Sequence, residues 1–313
     1  MSEIDEALAA FGGRDARLVA ERENTVYEAA LPEGRAALRL HRPGYQSLAE
    51  IRSELDWMQA LAAAGVAVPK PLGAPVVLAT GRVATAVHWV EGEPLGAAGV
   101  PLTGSPDEQR ARFRAVGLAV ARLHEASDGL DLGEGFTRHA WDIDGFLGDA
   151  PLWGRFWENP TLSAEERRLM LAARREARGV LEDFAARGGD YGLIHADVLR
   201  ENVLVQGDAV MLIDFDDAGW GFRLYDLAVF MTQNEDEPHA EALREAMLEG
   251  YRSLRALPEA EAGLIAMFTM LRRFASMGWI VPRADPASPA LRAYAEKAVR
   301  AARGFLSAGE GPA

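Results

Sequence analysis

The chain of 313 residues contains no cysteine. This absence excludes disulfide bonds, zinc–thiolate sites and a thiol nucleophile. Lysine is also scarce, since Lys70 and Lys297 are the only two lysines among 33 basic residues. Arginine therefore carries almost all of the positive charge, and a site that needs a cation has to use a planar guanidinium at most positions.

Features of membrane and nucleic-acid-binding proteins are missing as well. We find no apolar run long enough to span a bilayer. Residues 1–13 are acidic and lack the basic region and apolar run of a signal peptide. With 33 basic and 47 acidic side chains the net charge is −14, and such a surface repels phosphate backbones and anionic lipids. We therefore expect a cytoplasmic protein without nucleic-acid or membrane partners.

Residues able to do chemistry are concentrated between positions 191 and 228. A short apolar run leads into His195 and Asp197, and Asn202 follows before a second apolar run. After a polar turn, a third apolar run ends at Asp214. This pattern predicts a β-hairpin flanked by two acidic loops. Oxygen ligands of this kind suit Mg²⁺, which takes one or two carboxylates together with substrate phosphates.

The spacing His195-x-Asp197-x-x-x-x-Asn202, followed by Asp214, resembles the catalytic loop and metal-binding aspartate of the protein-kinase-like phosphotransferases. His-Ala-Asp in place of His-Arg-Asp, and the sequence RLYDLA at 223–228, are similar to the aminoglycoside phosphotransferase and choline kinase family. That family also includes homoserine kinase-like and hydroxylysine kinase-like enzymes. The resemblance implies an enzyme, an ATP-dependent O-phosphotransferase that uses Mg²⁺.

The same resemblance implies an α+β, bilobal fold. We expect a nucleotide-binding N-lobe at residues 1–90, made of a small antiparallel sheet with one helix. A mainly helical C-lobe at 91–313 is expected to hold the catalytic loop, the metal site and the acceptor pocket. Capping boxes that begin at Ser47, Ser105 and Ser163 predict three helix starts. The tail from Gly309 onward is expected to be disordered.

Period-two alternation in the third predicted strand places Ala37, Arg39 and His41 on one face. The resemblance implies that Ala37 lies under the adenine and that Arg39 replaces the usual lysine at the phosphates. The alternative is a solvated arginine on the strand. In the following helix, Glu54 borders the apolar stripe whereas Glu50 is engaged at the cap, so we expect Glu54 to pair with Arg39.

Two other parts of the nucleotide site follow from the resemblance. Adenine is expected to bond the backbone at the hinge, near Trp89, Val90 and Glu91. The loop 21–25 stands where protein kinases have a glycine-rich loop, but it contains no glycine. This departure leaves its phosphate contacts open.

By the resemblance, each residue of the catalytic stretch has a role. Asp197 would accept or orient the acceptor hydroxyl, and Asn202 with Asp214 would hold Mg²⁺. His195 would brace the loop through hydrogen bonds, and Asp226 would have a similar role in a buried position nearby. Asp216 is equally well explained by a second metal and by contact with solvent.

The position two after Asp197 is Leu199, so the residue that assists the γ-phosphate is not identified, and Arg200 next to it can point elsewhere. A Ser/Thr protein kinase of the same family is one alternative, although the chain lacks the D-F-G and Ala-Pro-Glu segments. A pseudokinase-like binding protein is another. Retention of Asp197, Asn202 and Asp214 together favours an enzyme over a pure binder.

We expect the acceptor to be a small polar molecule with a hydroxyl and an amine, or an aminoglycoside-like compound. Acidic side chains that could attract its cation are Asp216, Asp217, Glu235, Asp236 and Glu237. Apolar or cation–π walls could come from Trp141, Trp153, Trp157 and Trp279. The competing interpretation is that the acidic residues are solvated and the tryptophans belong to the core.

Overall fold

The structure is a computed structural model that describes residues 2–207 and 209–309. Its first lobe is built on a five-stranded antiparallel sheet in the order β1-β2-β3-β5-β4. The strands are β1 (Ala16–Glu21), β2 (Thr25–Leu31), β3 (Gly34–Leu40), β4 (Val76–Val77) and β5 (Val83–His88). Two helices accompany the sheet, α1 (Glu3–Ala10) and α2 (Leu48–Ala63).

The second lobe is mainly helical. Its helices are α3 (Pro106–Asp128), α4 (Ile143–Leu147), α5 (Ala164–Ala186), α6 (Leu224–Met231), α7 (Ala240–Arg252), α8 (Glu259–Ala262), α9 (Ile265–Ile280) and α10 (Pro289–Gly309). Its strands are β6 (Glu93–Pro94), β7 (Ala140–Trp141), β8 (Tyr191–Ile194), β9 (Val203–Gln206), β10 (Ala209–Leu212) and β11 (Gly219–Phe222). They form two small sheets, β10-β9-β6 and β7-β11-β8. The predicted α+β, bilobal fold class is confirmed.

The three predicted helix starts are formed by capping boxes. At Ser47, for example, the hydroxyl accepts the backbone N–H of Glu50 at 3.2 Å, and the Glu50 carboxylate accepts the backbone N–H of Ser47 at 2.8 Å. Ser105 and Ser163 begin α3 and α5 in the same way. Each box satisfies N–H groups that the first helical turn would otherwise leave unpaired.

The core of the first lobe lies on one face of its sheet. Leu38 and Leu40 of β3 are buried there against Leu8 of α1. The alternation predicted for this strand is correct, because Ala37 and Arg39 lie on the opposite face. That face carries the Arg39 side chain towards the second lobe, where it reaches Asp214.

Helix α2 belongs to both lobes. We expected one narrow apolar stripe along it, but its buried face is wider and includes Ser53, Glu54, Trp57 and Leu61. The Trp57 indole N–H donates to the Ser127 hydroxyl of α3 at 3.0 Å, and Trp57 and Leu61 are part of the large core of the second lobe. The helix that carries Glu54 is therefore anchored to the second lobe.

The chain passes between the lobes after β5 ends at His88. Glu93 and Pro94 already pair with β9 of the second lobe, and we propose that the boundary lies between residues 90 and 91. Within the described ranges, no helix has both the length and the apolar character needed to cross a membrane. The expected disorder of the tail concerns residues 310–313, which lie outside the described ranges, whereas Gly309 ends α10.

Candidate active site

Asp226 of α6 holds the loop between β8 and β9 by accepting hydrogen bonds from its backbone. The backbone N–H groups of His195 and Ala196 donate to its two carboxylate oxygens at 2.9 and 2.6 Å. Ala196 has a φ of +63°, a left-handed conformation that a residue with a side chain rarely adopts. Burial alone would raise the pKa of Asp226, but hydrogen bonds from His124 and from the loop hold it below its ordinary value. The carboxylate thus supports a strained turn.

His195 is buried and uses both ring nitrogens to hold the loop. Its Nε2 lies 3.0 Å from the carbonyl oxygen of Ile213, and its Nδ1 lies 3.3 Å from the backbone N–H of Asp197. The ring also packs against Phe215 with 4.6 Å between centroids. This geometry couples the catalytic loop to the strand end that precedes Asp214.

Asp197 and Asn202 are in direct contact. The Asn202 amide Nδ2 donates to the carbonyl oxygen of Asp197 at 2.9 Å and to its Oδ2 at 2.7 Å. The other carboxylate oxygen of Asp197 accepts a hydrogen bond from Arg272 Nη2 at 2.5 Å. Burial and the nearby charge of Asp214 raise the pKa of Asp197, and Arg272 opposes them. Asn202 Oδ1 accepts no hydrogen bond within the described ranges, so this oxygen is available to a ligand.

Asp214 follows the end of the hairpin, where the Ile213 N–H donates to the Asn202 carbonyl at 3.0 Å, and it also has a left-handed φ, of +67°. Its Oδ1 accepts a hydrogen bond from Arg39 Nη2 at 2.7 Å, while the side chain remains 41% exposed. Arg39 contacts Glu54 as well, with 3.4 Å between Nη1 and Oε1. The ion pair that we expected between Arg39 and Glu54 is therefore present. Arg39 also contacts Asp214, and the sequence did not predict this pair.

Glu54 is more deeply buried than Asp197 and Asp214. Burial raises its pKa to about 7, against the opposing charges of Arg39 and Arg138. Arg138 lies 3.5 Å from Glu54 and donates to the carbonyl oxygens of Phe215 and Ala218 at 3.2 and 2.6 Å. Sequence reasoning missed Arg138, because nothing in its local pattern marks a residue that clamps a loop about 80 positions away.

Asp216 contacts the first lobe instead of open solvent, and its side chain is only 12% exposed. The Asn24 amide donates to its Oδ2 at 3.1 Å, and the guanidinium groups of Arg39 and Arg42 lie 3.8 and 3.9 Å away. The solvent interpretation is therefore wrong. Asn24 belongs to the loop 21–25, so this carboxylate connects that loop to the catalytic end of the second lobe.

The hinge residues Trp89, Val90 and Glu91 differ in their contacts. Trp89 N–H donates to the carbonyl of Arg35 at 2.9 Å, and the Arg35 guanidinium stacks on the Trp89 ring at 4.5 Å. Glu91 forms an ion pair with Arg35. Within the described ranges, the backbone groups of Val90 form no hydrogen bond. Ala37, on the neighbouring strand, is half-buried.

The tryptophans expected to wall a cationic acceptor have other partners. Trp141 is fully buried in the core. The rings of Trp153, Trp157 and Trp279 stack on the protein's own arginines, Arg272, Arg174 and Arg283 respectively, at 4.6, 4.3 and 4.8 Å. One face of each of these three rings is therefore occupied by an arginine of the chain itself.

The acidic residues proposed to bind the acceptor differ in whether they form ion pairs with arginines of the chain. Glu235 pairs with Arg273, and Glu237 pairs with Arg200, which accordingly points away from Asp197. Asp217 differs from them. Its carboxylate accepts a hydrogen bond from the Tyr45 hydroxyl and forms no ion pair with any arginine or lysine in the described part of the chain.

Burial and the charges of Asp197 and Asp216 raise the pKa of Asp217 to about 7. The Tyr45 hydroxyl that contacts it also accepts the Trp153 indole N–H at 3.1 Å. Asp217 is thus a half-buried carboxylate beside the loop 195–202 that forms no ion pair within the described ranges, although the charge of Arg272 partly opposes the rise of its pKa. Tyr45 was not among the predicted residues, because it comes from the first lobe and lies 172 positions away in sequence.

Comparison with known proteins agrees with this geometry. Residues 15–264 match the model of a family described as the phosphotransferase enzyme family. A homoserine kinase from Rhizobium etli (strain CIAT 652) is 32% identical over 240 residues, which cover 73% of this chain and 67% of the relative. An uncharacterised protein from Deinococcus radiodurans is 32% identical over 266 residues, or 80% of this chain and 72% of the relative.

Solved structures share the whole fold. A microcompartment-associated aminopropanol kinase superposes with a TM-score of 0.77 at 31% identity, covering 96% of this chain and 94% of the other. An amicoumacin kinase, solved in complex with AMP-PNP, Ca²⁺ and Ami, has a TM-score of 0.72 at 19% identity, covering 91% of this chain and 88% of the other. The second likeness concerns the fold alone.

Proposed function

We propose, from the premise that this chain belongs to the phosphotransferase enzyme family, that it transfers the γ-phosphoryl group of ATP to a hydroxyl of a small amine-bearing molecule. Family membership confirms the resemblance seen in the sequence and makes the chain a phosphotransferase enzyme. ATP, Mg²⁺, the roles of individual residues and the kind of acceptor are the steps that we add.

The observation that carries the proposal is the convergence of Asp197, Asn202, Asp214 and Arg39 where the lobes meet. In phosphoryl transfer the protein mainly positions groups and neutralises charge. Asp197 would orient the acceptor hydroxyl and take its proton while the hydroxyl oxygen forms a bond to the γ-phosphorus. The bond between that phosphorus and the bridging oxygen breaks, and ADP leaves.

The residues present fit a magnesium ion. The free Oδ1 of Asn202 and the partly exposed carboxylate of Asp214 are hard oxygen donors, and Mg²⁺ commonly takes only one or two carboxylates besides phosphate and water. When bound, the ion would neutralise phosphate charge. The contact of Asn202 with Asp197 would keep the metal ligand and the acceptor-binding carboxylate in a fixed relation.

Arg39 and the hinge would hold the nucleotide. Arg39 presents a planar donor to phosphate oxygens, and Glu54 on the anchored helix α2 would keep it aligned. The half-buried Ala37 leaves room beside the strand for the adenine. The unpaired backbone groups of Val90, between Trp89 and Glu91, would bond its edge.

The surroundings of Asp217 support the proposal that the acceptor carries an amine. A half-buried carboxylate without a cation is costly, and an ammonium group of the substrate would supply the missing charge. The relatives at 30% identity or more include kinases named for homoserine and for aminopropanol, both of which carry a hydroxyl and an amine. We extend this substrate class to the present chain.

A panel of hydroxyl compounds tests the proposal by ATP consumption in the presence of Mg²⁺. It should include amino alcohols, homoserine-like amino acids and aminoglycosides, each beside its N-acetylated form, together with generic protein substrates. We expect turnover of a free amine and little turnover of its acetylated form. Phosphorylation of protein alone would indicate a protein kinase, and nucleotide binding without any transfer would indicate a pseudokinase.

The metal assignment has its own test. Asp214→Asn should lose Mg²⁺-dependent nucleotide binding in calorimetry, with Asp236→Asn, an exposed carboxylate on the same lobe, as the matched control. Full turnover by the Asp214 variant would exclude Asp214 as a metal ligand.

A further inference from the structure

Arg272 holds the catalytic aspartate from a different part of the chain. It lies in the middle of α9, is 6% exposed, and reaches the catalytic loop with both terminal nitrogens. Nη2 donates to Asp197 Oδ1 at 2.5 Å, and Nη1 donates to the carbonyl oxygen of Ala196 at 3.1 Å. One guanidinium therefore contacts both the backbone of Ala196, which has a left-handed conformation, and the side chain of Asp197.

Other contacts restrict the position of this guanidinium. It stacks on the Trp153 ring at 4.6 Å. Arg272 also interacts with Tyr225 of α6, whose buried hydroxyl has no hydrogen-bond partner within the described ranges. A planar group that is stacked on one face and bonded at two nitrogens has few orientations left.

We propose that Arg272 is a positioning residue for Asp197. With Asn202 on Oδ2 and Arg272 on Oδ1, both oxygens of the carboxylate are held, so its plane is defined before any acceptor arrives. Each oxygen keeps a second lone pair that can receive the acceptor hydroxyl. Arg272 acts through Asp197 and makes no contact with the nucleotide in this scheme. The inference rests on the proposed function for its kinetic consequences, but not for its geometry.

Charge supports the same assignment. Asp197 is close to the carboxylates of Asp214 and Asp217, and in the described part of the chain Arg272 is the cation that forms an ion pair with it. Removing one partner of a buried pair leaves the other charge uncompensated. The match to the family model ends at residue 264, so Arg272 lies outside the segment by which the family is recognised.

Two variants separate charge from geometry. Arg272→Met keeps an unbranched apolar stem but removes the guanidinium with its donors, and Arg272→Lys keeps the charge but cannot bridge two acceptors as a fork does. We expect Arg272→Met to lower kcat about 100-fold, the scale of a misplaced reacting group, with ATP affinity changed less than about three-fold. Arg272→Lys should recover part of the loss.

Arg273 provides a matched control. It is the next residue of α9, and it also donates to a backbone carbonyl, that of Thr232, and to a carboxylate, that of Glu235. Arg273→Met should leave kcat within about two-fold, because its partners lie away from Asp197. Equal losses in both variants, or a parallel loss of ATP affinity in Arg272→Met, would show a general role in folding and overturn the inference.

Crystal structures of the wild type, Arg272→Met and Arg273→Met give a readout that does not depend on activity. We expect the Asp197 carboxylate to rotate away from its wild-type orientation only in Arg272→Met. If that variant does not fold, Arg272→Lys serves the same comparison. An unchanged carboxylate overturns the inference, whereas a wild-type protein that phosphorylates no acceptor, but whose carboxylate rotates as expected, contradicts only the proposed function.

Discussion

Two loops meet at the candidate active site, and they are held by different forces. The proposed catalytic loop, 195–202, is fixed by buried partners, since Asp226 bonds its backbone and Arg272 bonds Asp197. The loop 21–25 of the first lobe is held instead by side-chain contacts of Glu23, which is 32% exposed, and of Asn24. Glu23 forms ion pairs with Arg42 and Arg283, and Asn24 donates to Asp216.

This difference indicates that the two loops differ in stability. Hydrogen bonds to buried charges are strong and costly to break, whereas ion pairs between exposed side chains contribute about 0 to 1 kcal/mol. The catalytic loop should therefore keep its shape through a reaction cycle. The loop 21–25, whose Glu23 contact to Arg283 spans 260 residues, is expected to open more often.

The largest effect is expected at the catalytic aspartate. Asp197→Asn should lower kcat by roughly 1,000-fold, because a neutral amide cannot take the acceptor proton. ATP affinity should stay within a few-fold, since the role of Asp197 is confined to the acceptor oxygen. Steady-state kinetics and calorimetry would measure the two quantities, and a comparable loss of ATP affinity would instead place Asp197 on the metal.

Replacement of Asp226, which bonds the backbone of the loop 195–202, should have the next largest effect. Asp226→Asn replaces one acceptor oxygen by an amide that faces a backbone N–H, so we expect the free energy of unfolding to fall by about 3 kcal/mol, with loss of activity. Urea denaturation measures the first change. Asp236→Asn, on an exposed carboxylate, is the control and should shift stability by less than about 0.5 kcal/mol. Equal stability of the two variants would mean that the loop does not depend on Asp226.

Arg39 connects the two regions, and its replacement should have an intermediate effect. Arg39→Met removes the ion pairs with Glu54 and Asp214, so the apparent KM for ATP should rise about ten-fold and kcat should fall. Arg17→Met, on the exposed strand β1, provides the comparison. Unaltered kinetics in the Arg39 variant would leave the arginine without a role at the phosphates.

The smallest effect is expected at Glu23. Glu23→Gln weakens both ion pairs of the loop 21–25 and should change the free energy of unfolding by no more than about 1 kcal/mol. Hydrogen exchange of the loop should nevertheless become faster, while that of 195–202 stays the same. Glu21→Gln, an exposed neighbour, should alter neither. A loss of stability as large as that of Asp226→Asn would contradict the distinction between the two loops.

The sequence by itself determined the features that depend on short spacing. The separation of His195, Asp197 and Asn202, the alternation along β3 and the capping box at Ser47 are local patterns, and the chain can satisfy them in few ways. They were enough to predict the fold class and the family. They also placed Glu54 within reach of Arg39.

Only the tertiary structure decided which charges neutralise each other. Arg272 meets Asp197 across 75 residues, and Arg39 meets Asp214 across 175. The same contacts place Arg272 over Trp153, while Asp217 forms no ion pair with an arginine or lysine of the described residues. Such pairings follow from how the two lobes bring α9, β3 and the loop 195–202 together. No local pattern in the chain records them, because electrostatic partners are chosen by distance in space.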